Sequence, residues 1–287
     1  MGRGVAGSVR LTLWAAPIIL EHNMNIWNDN GEISRKLAVL RGALASHGLE
    51  RPAAERIAPL GHPGADACLN GGLARGALHE VFAGAPGQEA AASGFALALA
   101  VRVLTKHKWL LWIRQDFSAL ESGEIYGAGL RELGLDPSRA LMLHAPDAEA
   151  VLRAAGDALD CKGLGAVVIE PWGEPKIFDL VASRRLTLAA AKHNVTAILL
   201  RPGAEPSPSA AETRWLVRAA PSPPDDDWGA PLFDVSLARN RHGPLGHWVM
   251  EWDQDESIFR TAHHGALAAA IADRPAEAAL ECHRQAG

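Results

Sequence analysis

Between residues 76 and 200, short apolar runs alternate with helical stretches, and this alternation limits the chain to very few folds. Five runs read as strands: 77–82 (ALHEVF), 109–113 (WLLWI), 140–144 (ALMLH), 166–170 (AVVIE) and 195–200 (VTAILL). WLLWI and AVVIE are nearly continuous in apolar character, as expected of central strands covered on both faces. Four helical stretches separate the runs: 90–105, 125–133, 147–159 and 178–193. Residues 90–105 (AAASGFALALAVRVLT) are apolar on most sides, which predicts a deeply buried helix. Asp147 sits where an N-cap is expected. Strands joined by helices of this length imply right-handed crossovers and a mainly parallel sheet. The predicted fold class is therefore α/β, with helices on both sides of the sheet.

Beyond residue 200 the texture changes. Residues 214–219 (RWLVRA), 233–239 and 248–252 read as strands, the last two joined through NRHGPLGH as a C-terminal antiparallel hairpin. An acidic, proline-rich stretch, PSPPDDDW, spans residues 221–228. Before the core, Ile33, Leu37, Leu40 and Leu44 recur at helical spacing with Arg35, Lys36 and Arg41 elsewhere, so residues 33–44 are predicted to form an amphipathic helix. Residues 50–76 read as a Pro-, Gly- and Ala-rich linker. The expected divisions are 1–32, a leader or mis-assigned start with Met24 as the true one; 33–71, helix and linker; 72–260, the core; and 261–287, a helical tail. The apolar stretch at 11–20 is too short to span a bilayer.

The chain has 287 residues and a formal net charge of −5, which argues against a surface that grips nucleic acid everywhere but allows a local basic patch. Cys68, Cys161 and Cys282 lie far apart without a CxxC pair. No zinc site or disulfide framework is expected, and a reducing, cytoplasmic setting suits them.

The most informative stretch follows the first strand. A strand, a Gly-containing loop and a helix form the frame of a phosphate loop, in which backbone N–H groups cradle phosphates, a Lys neutralises them and a Ser or Thr holds magnesium. Here the segment is AGAPGQEAAAS, with Gly84 and Gly87 but no GK[ST], and no Lys or Arg between Arg75 and Arg102. Pro86 removes one N–H. Glu89 reads either as a first-turn helix acid or as a carboxylate standing where phosphate would lie. Glu170 closes the AVVIE strand where a magnesium-linked acid would fall, and a strand-end polar contact is the preferred reading. Gln115 and Asp116 read as a loop contact or cap. No catalytic residue, cofactor or metal is expected.

Arg184 and Arg185 share one helix, Arg201, Arg214 and Arg218 cluster around the fifth and sixth strands, and Arg239, Arg241 and His242 mark the hairpin. With Trp215, Trp248 and Trp252 among them, these are candidate contacts for a partner or, weakly, for single-stranded DNA. Tryptophans at such spacing also suit a sheet core.

GALHEVF, WLLWIRQD, the stretch from YGAG to HAPD, LGAVVIE, TRWLVRAAPS and FDVSLARNRHGPLGHWVMEWD, in this order, resemble the ImuA family. Members look like a RecA core stripped of its ATP site, and the resemblance spans roughly residues 33–253. It implies a RecA-like three-layer core and a role in damage-induced mutagenesis. It also implies an accessory subunit working with an ImuB-like protein and an error-prone DNA polymerase, with RecA as a further candidate partner. By analogy with RecA, Arg239 and Arg241 fall where basic residues reach a neighbour's nucleotide, and residues 33–44 where a helix docks on the next subunit. Two other readings remain open: a DNA-dependent ATPase with an atypical loop, and a damage-response cell-division inhibitor. The latter would be shorter and lack the RNRHGP hairpin.

Overall fold

A computed structural model describes residues 10–13, 56–222 and 229–262. The predicted helix at 33–44, the acidic run at 225–227 and the tail from 263 lie outside the described residues.

Six strands run parallel at the centre: β4 (Leu78–Ala83), β5 (Trp109–Gln115), β6 (Ala140–Ala145), β7 (Leu164–Glu170), β8 (Thr196–Arg201) and β9 (Thr213–Ala219). Three antiparallel strands extend the sheet beyond β9: β10 (Leu232–Asn240), β11 (Gly246–Asp253) and β12 (Ile258–Thr261). At the opposite edge β1 (Arg10–Leu13) pairs antiparallel with β6. The order is β1-β6-β5-β7-β8-β4-β9-β10-β11-β12. A two-stranded ribbon, β2 (Ile57–Ala58) with β3 (Leu73–Ala74), stands apart. The sheet is thus large, mixed and mainly parallel, with the antiparallel C-terminal extension the sequence predicts.

Side chains alternate between two cores, as strand geometry requires. On β5, Leu110 and Trp112 face one layer while Leu111 and Ile113 face the other, and on β7 Ala166 and Val168 oppose Val167 and Ile169. The second layer is closed by α5 (Ala148–Leu159) and α6 (Leu180–His193), which supply Val151, Ala154, Leu186 and Ala190. Asp147 caps α5 by accepting from the Ala150 N–H at 2.8 Å. The first layer is built on α2 (Glu89–Val103), whose residues Phe95 to Ala100 are all buried. Phe95 contacts the rings of Trp215, Phe233 and Phe259 at centroid distances of 5.4, 5.7 and 5.2 Å.

Three segments differ from the sequence expectation. Residues 56–74, Gly- and Pro-rich enough to read as a linker, fold onto α2: α1 (Pro63–Cys68) lies between β2 and β3, and Leu60 and Leu73 are fully buried. Residues 10–13, expected in a leader, form the β1 edge strand. Two short helices, α3 (Asp116–Ser122) and α4 (Gly127–Glu132), follow β5 where one was expected.

The polar groups buried under the ribbon are paired. The His79 imidazole lies between the Thr213 hydroxyl and the Ala74 carbonyl, each at 2.8 Å, and Trp215 donates to the same hydroxyl at 2.9 Å. Burial, set against the hydrogen bond to Ala74, pulls its pKa from 6.5 to about 4. A histidine whose folded pKa lies below its unfolded value stabilises the fold fully above pH 6.5, and that stability is lost as pH falls toward about 4. The loss amounts to about 3 kcal/mol. Urea midpoints should therefore fall between neutral and mildly acidic pH, and His79→Gln should flatten that slope. Equal slopes for the two proteins would contradict the assignment.

Candidate functional site

The carboxyl ends of β4, β5, β7 and β8 form one crest, the position at which open α/β sheets bind ligands. The degenerate loop, residues 84–88, follows β4 there and is fastened to β9. The Gly84 N–H donates to the Val217 carbonyl at 2.7 Å, and its own carbonyl accepts from Arg218 Nε and Nη2 at 3.1 and 3.0 Å. A Cβ on Gly84 would fall 2.7 Å from Arg218 Cγ, so glycine is required by this approach. The Ala219 N–H donates to Gln88 Oε1 at 2.8 Å, and the Gln88 N–H to the Ala85 carbonyl at 3.2 Å. Among residues 84–88, then, Gly84 and Gln88 direct their N–H groups to protein carbonyls and Pro86 has none. Gly87, at φ +81°, sits at the exposed turn of the loop. Glu89 begins α2 half-buried.

Glu170 ends β7 almost wholly buried, and protein groups occupy both its oxygens. Trp112 Nε1 donates to Oε2 at 2.7 Å, and Arg114 Nε to Oε1 at 3.0 Å. Arg114 also donates to the carbonyls of Gly123 and Ser118. Burial pushes the Glu170 pKa up, while Arg114 and the Trp112 hydrogen bond pull it down. Gln115 Oε1 accepts from the Trp172 N–H at 3.0 Å, holding the loop after β7. Asp116 opens α3 with Oδ1 at 3.8 Å from His144 Nδ1, and Glu124 Oε2 lies 3.8 Å from His144 Nε2. The His144 pKa is lowered by burial, against the pull of Glu124.

The basic candidates divide into two groups. Arg201 and Arg214 belong to the interior. Arg214 Nε pairs with the buried Glu80 at 2.8 Å, and both guanidinium groups lie over the Phe82 ring, at 5.8 and 5.6 Å. Arg201 also packs over Phe178 at 5.9 Å and donates to the Gly173 carbonyl at 3.3 Å. Burial lowers its pKa, opposed by Glu80 and Glu174. Arg218 is tied to Gly84, as above. Arg184 and Arg185 are exposed on the first half of α6, and Arg241 and His242 on the hairpin turn, with Arg239 half-exposed beside them.

The hairpin turn lies at the far end of the sheet from the phosphate loop. The Arg241 N–H donates to the Glu212 carbonyl, and the Glu212 N–H to the Leu78 carbonyl at the start of β4. The loop follows the end of that strand, roughly 17 Å away. Within one chain, Arg239 and Arg241 therefore do not meet the loop. His242 pairs with Glu212 at 3.1 Å, and Asn240 and Asn70 tie the turn to α1. Trp215 and Trp252 are fully buried and Trp248 packs against the same core, so these rings form sheet core rather than a stacking platform.

The polar groups of the crest are held by protein partners. Its cations are bound to protein oxygens, two loop N–H groups are taken, and a carboxylate stands at the helix entrance. Among the described residues no cluster of His, Cys, Asp and Glu is placed to hold a metal ion. Also among them, no helix is long and apolar enough to cross a membrane.

Sheet order, layering and crest define a RecA-like core with an altered phosphate loop. Among solved structures the chain is similar to the RadB recombinase, with a TM-score of 0.51 and 18% identity, covering 72% of this chain and 100% of that one. At this identity the likeness shows the fold alone. No family model matches. The ImuA proteins of two Caulobacter vibrioides strains are each 32% identical over 248 residues, 80% of this chain and 96% of theirs. The chain belongs to the ImuA family.

Sequence reading did not single out Arg114, Glu80 or His79. The available signal was a charged or titratable residue inside an apolar strand, which demands a buried partner. Replacing Arg114 with Met leaves Glu170 buried without its cation, and should cost about 3–5 kcal/mol in urea denaturation. Arg114→Met/Glu170→Met should recover most of that loss. A single variant as stable as the parent would contradict the pairing.

Proposed function

We propose that the chain is a non-catalytic accessory protein of a damage-induced translesion DNA synthesis complex. In this reading it works in the cytoplasm, docking an ImuB-like protein and an error-prone DNA polymerase, with RecA as a further partner. Membership in the ImuA family supports a role in damage-induced mutagenesis. The observation that carries the non-catalytic part is the crest, where Arg218 bonds the Gly84 carbonyl and Arg114 and Trp112 occupy Glu170. A working phosphoryl-transfer site needs such groups free to face phosphate, metal and water.

Contacts with partners then fall on outer surfaces. Arg184 and Arg185 on α6, and Arg239, Arg241 and His242 at the hairpin, are candidate basic positions for a partner or for single-stranded DNA. The distance of the hairpin positions from the loop separates their role from any residual nucleotide chemistry.

Affinity capture of the tagged chain from DNA-damaged cells should recover an ImuB-like protein and an error-prone polymerase. Arg239→Glu/Arg241→Glu should reduce that recovery without lowering the melting temperature. Recovery of neither protein, or ATP turnover stimulated by single-stranded DNA, would overturn the proposal.

A further inference from the structure

Between α2 and the α3–α4 segment lies a cleft of about 570 Å³. Leu97, Trp112, Ile125, Leu130 and Leu133 give it an apolar lining. Three carboxylates, Glu89, Glu121 and Glu124, stand around it with the 77%-exposed Tyr126. Arg114 is the one Arg or Lys among the lining residues, and its Nε and both terminal nitrogens are already bonded to Glu170, Gly123 and Ser118. The accessible charge of the cleft is therefore negative. A Cβ built on Gly87, Gly123 or Gly129 would meet nothing within 4 Å, so the rim leaves room for an incoming chain. On α3, which carries Glu121, Leu120 is 80% and Phe117 43% exposed.

An apolar hollow ringed by acids and an exposed phenol suits one kind of occupant better than others. A bulky apolar side chain fills the hollow, and an adjacent cation meets the carboxylates and the face of Tyr126. Phosphate or an acidic segment would be repelled by the same ring of charge. We propose that this cleft docks a segment of a partner protein that presents an arginine or lysine beside a large apolar side chain. The inference rests on the docking role proposed above and supplies its surface and the chemistry of the partner. It also gives Glu89 a function: the carboxylate that spoils the crest for phosphate helps make the neighbouring cleft attractive to a cation.

The test uses the full chain and a fluorescein-labelled peptide built on an Arg-Leu-Trp-Arg core, with a counterpart carrying Glu for both Arg. Anisotropy should show saturable binding of the basic peptide, weakened by salt, and binding of the acidic one about tenfold weaker or less. Glu121→Arg/Glu124→Arg should weaken the basic peptide by about tenfold, since it reverses the rim charge. Gly129→Leu, which fills the open space, should weaken it without changing the salt dependence. Absence of binding, equal binding of both peptides, or indifference to the variants would overturn the proposal. Concentration-dependent self-association that Glu121→Arg/Glu124→Arg abolishes would assign the cleft to a second copy and overturn it too. If Glu121→Arg/Glu124→Arg still captures the same proteins from damaged cells while the peptide does not bind, the docking role stands and this surface does not carry it.

Discussion

Helix α2 is buried from Phe95 to Ala100, and much of the molecule packs around it. It lies on the sheet, with the ribbon, α4 and the antiparallel strands contributing to the same core and the acid-rimmed cleft open along its first half. Phe95 concentrates the contacts, touching aromatic rings of β9, β10 and β12. Burying a side chain of this size contributes about 1.5–3 kcal/mol, and removing it from a packed core costs about 3–5 kcal/mol. The helix that carries the phosphate loop is thus positioned by packing, and its placement needs no contribution from a bound nucleotide. This explains how the loop can change while the core remains intact.

At the crest the charged side chains are paired with groups of the same chain. Buried charges are costly unless paired, and the cost of breaking such a pair exceeds the net benefit of forming it. Arg114 with Glu170, Arg214 with Glu80 and Arg218 with the Gly84 carbonyl are all satisfied within the chain. Phe82 lies beneath both Arg201 and Arg214, so their cations are held against an apolar ring rather than presented outward. These contacts link β4 with β8 and β9, and β5 with β7. Arg184 and Arg185 on α6 and Arg241 on the hairpin turn, by contrast, face solvent.

Much of the fold was legible because the strands are strongly apolar. The five central runs and their crossover helices appear within a few residues of their expected bounds, and so does the hairpin. The missing Lys was visible in the sequence alone. Other features depend on partners distant in the chain. The linker-like composition of residues 50–76 hides the burial of Leu60 and Leu73, which arises from contact with a helix and strands far along the sequence. Strand β12 is four residues long and is recognisable only through its pairing with β11. The runs of arginines look alike in sequence, yet Arg214 is internal and Arg184 external, because sheet register turns one toward Glu80 while a helix face turns the other to solvent. The cleft could not be foreseen, since Glu89 and Glu121 come together only through the turn that follows β5.

The central claim is that protein groups have closed the crest to nucleotide. Isothermal titration of the full chain with magnesium and millimolar ATP tests it most directly, because it reads binding whether or not turnover occurs. The account predicts no saturable heat and no rise in melting temperature under the same conditions. Saturable, magnesium-dependent binding of ATP would contradict it.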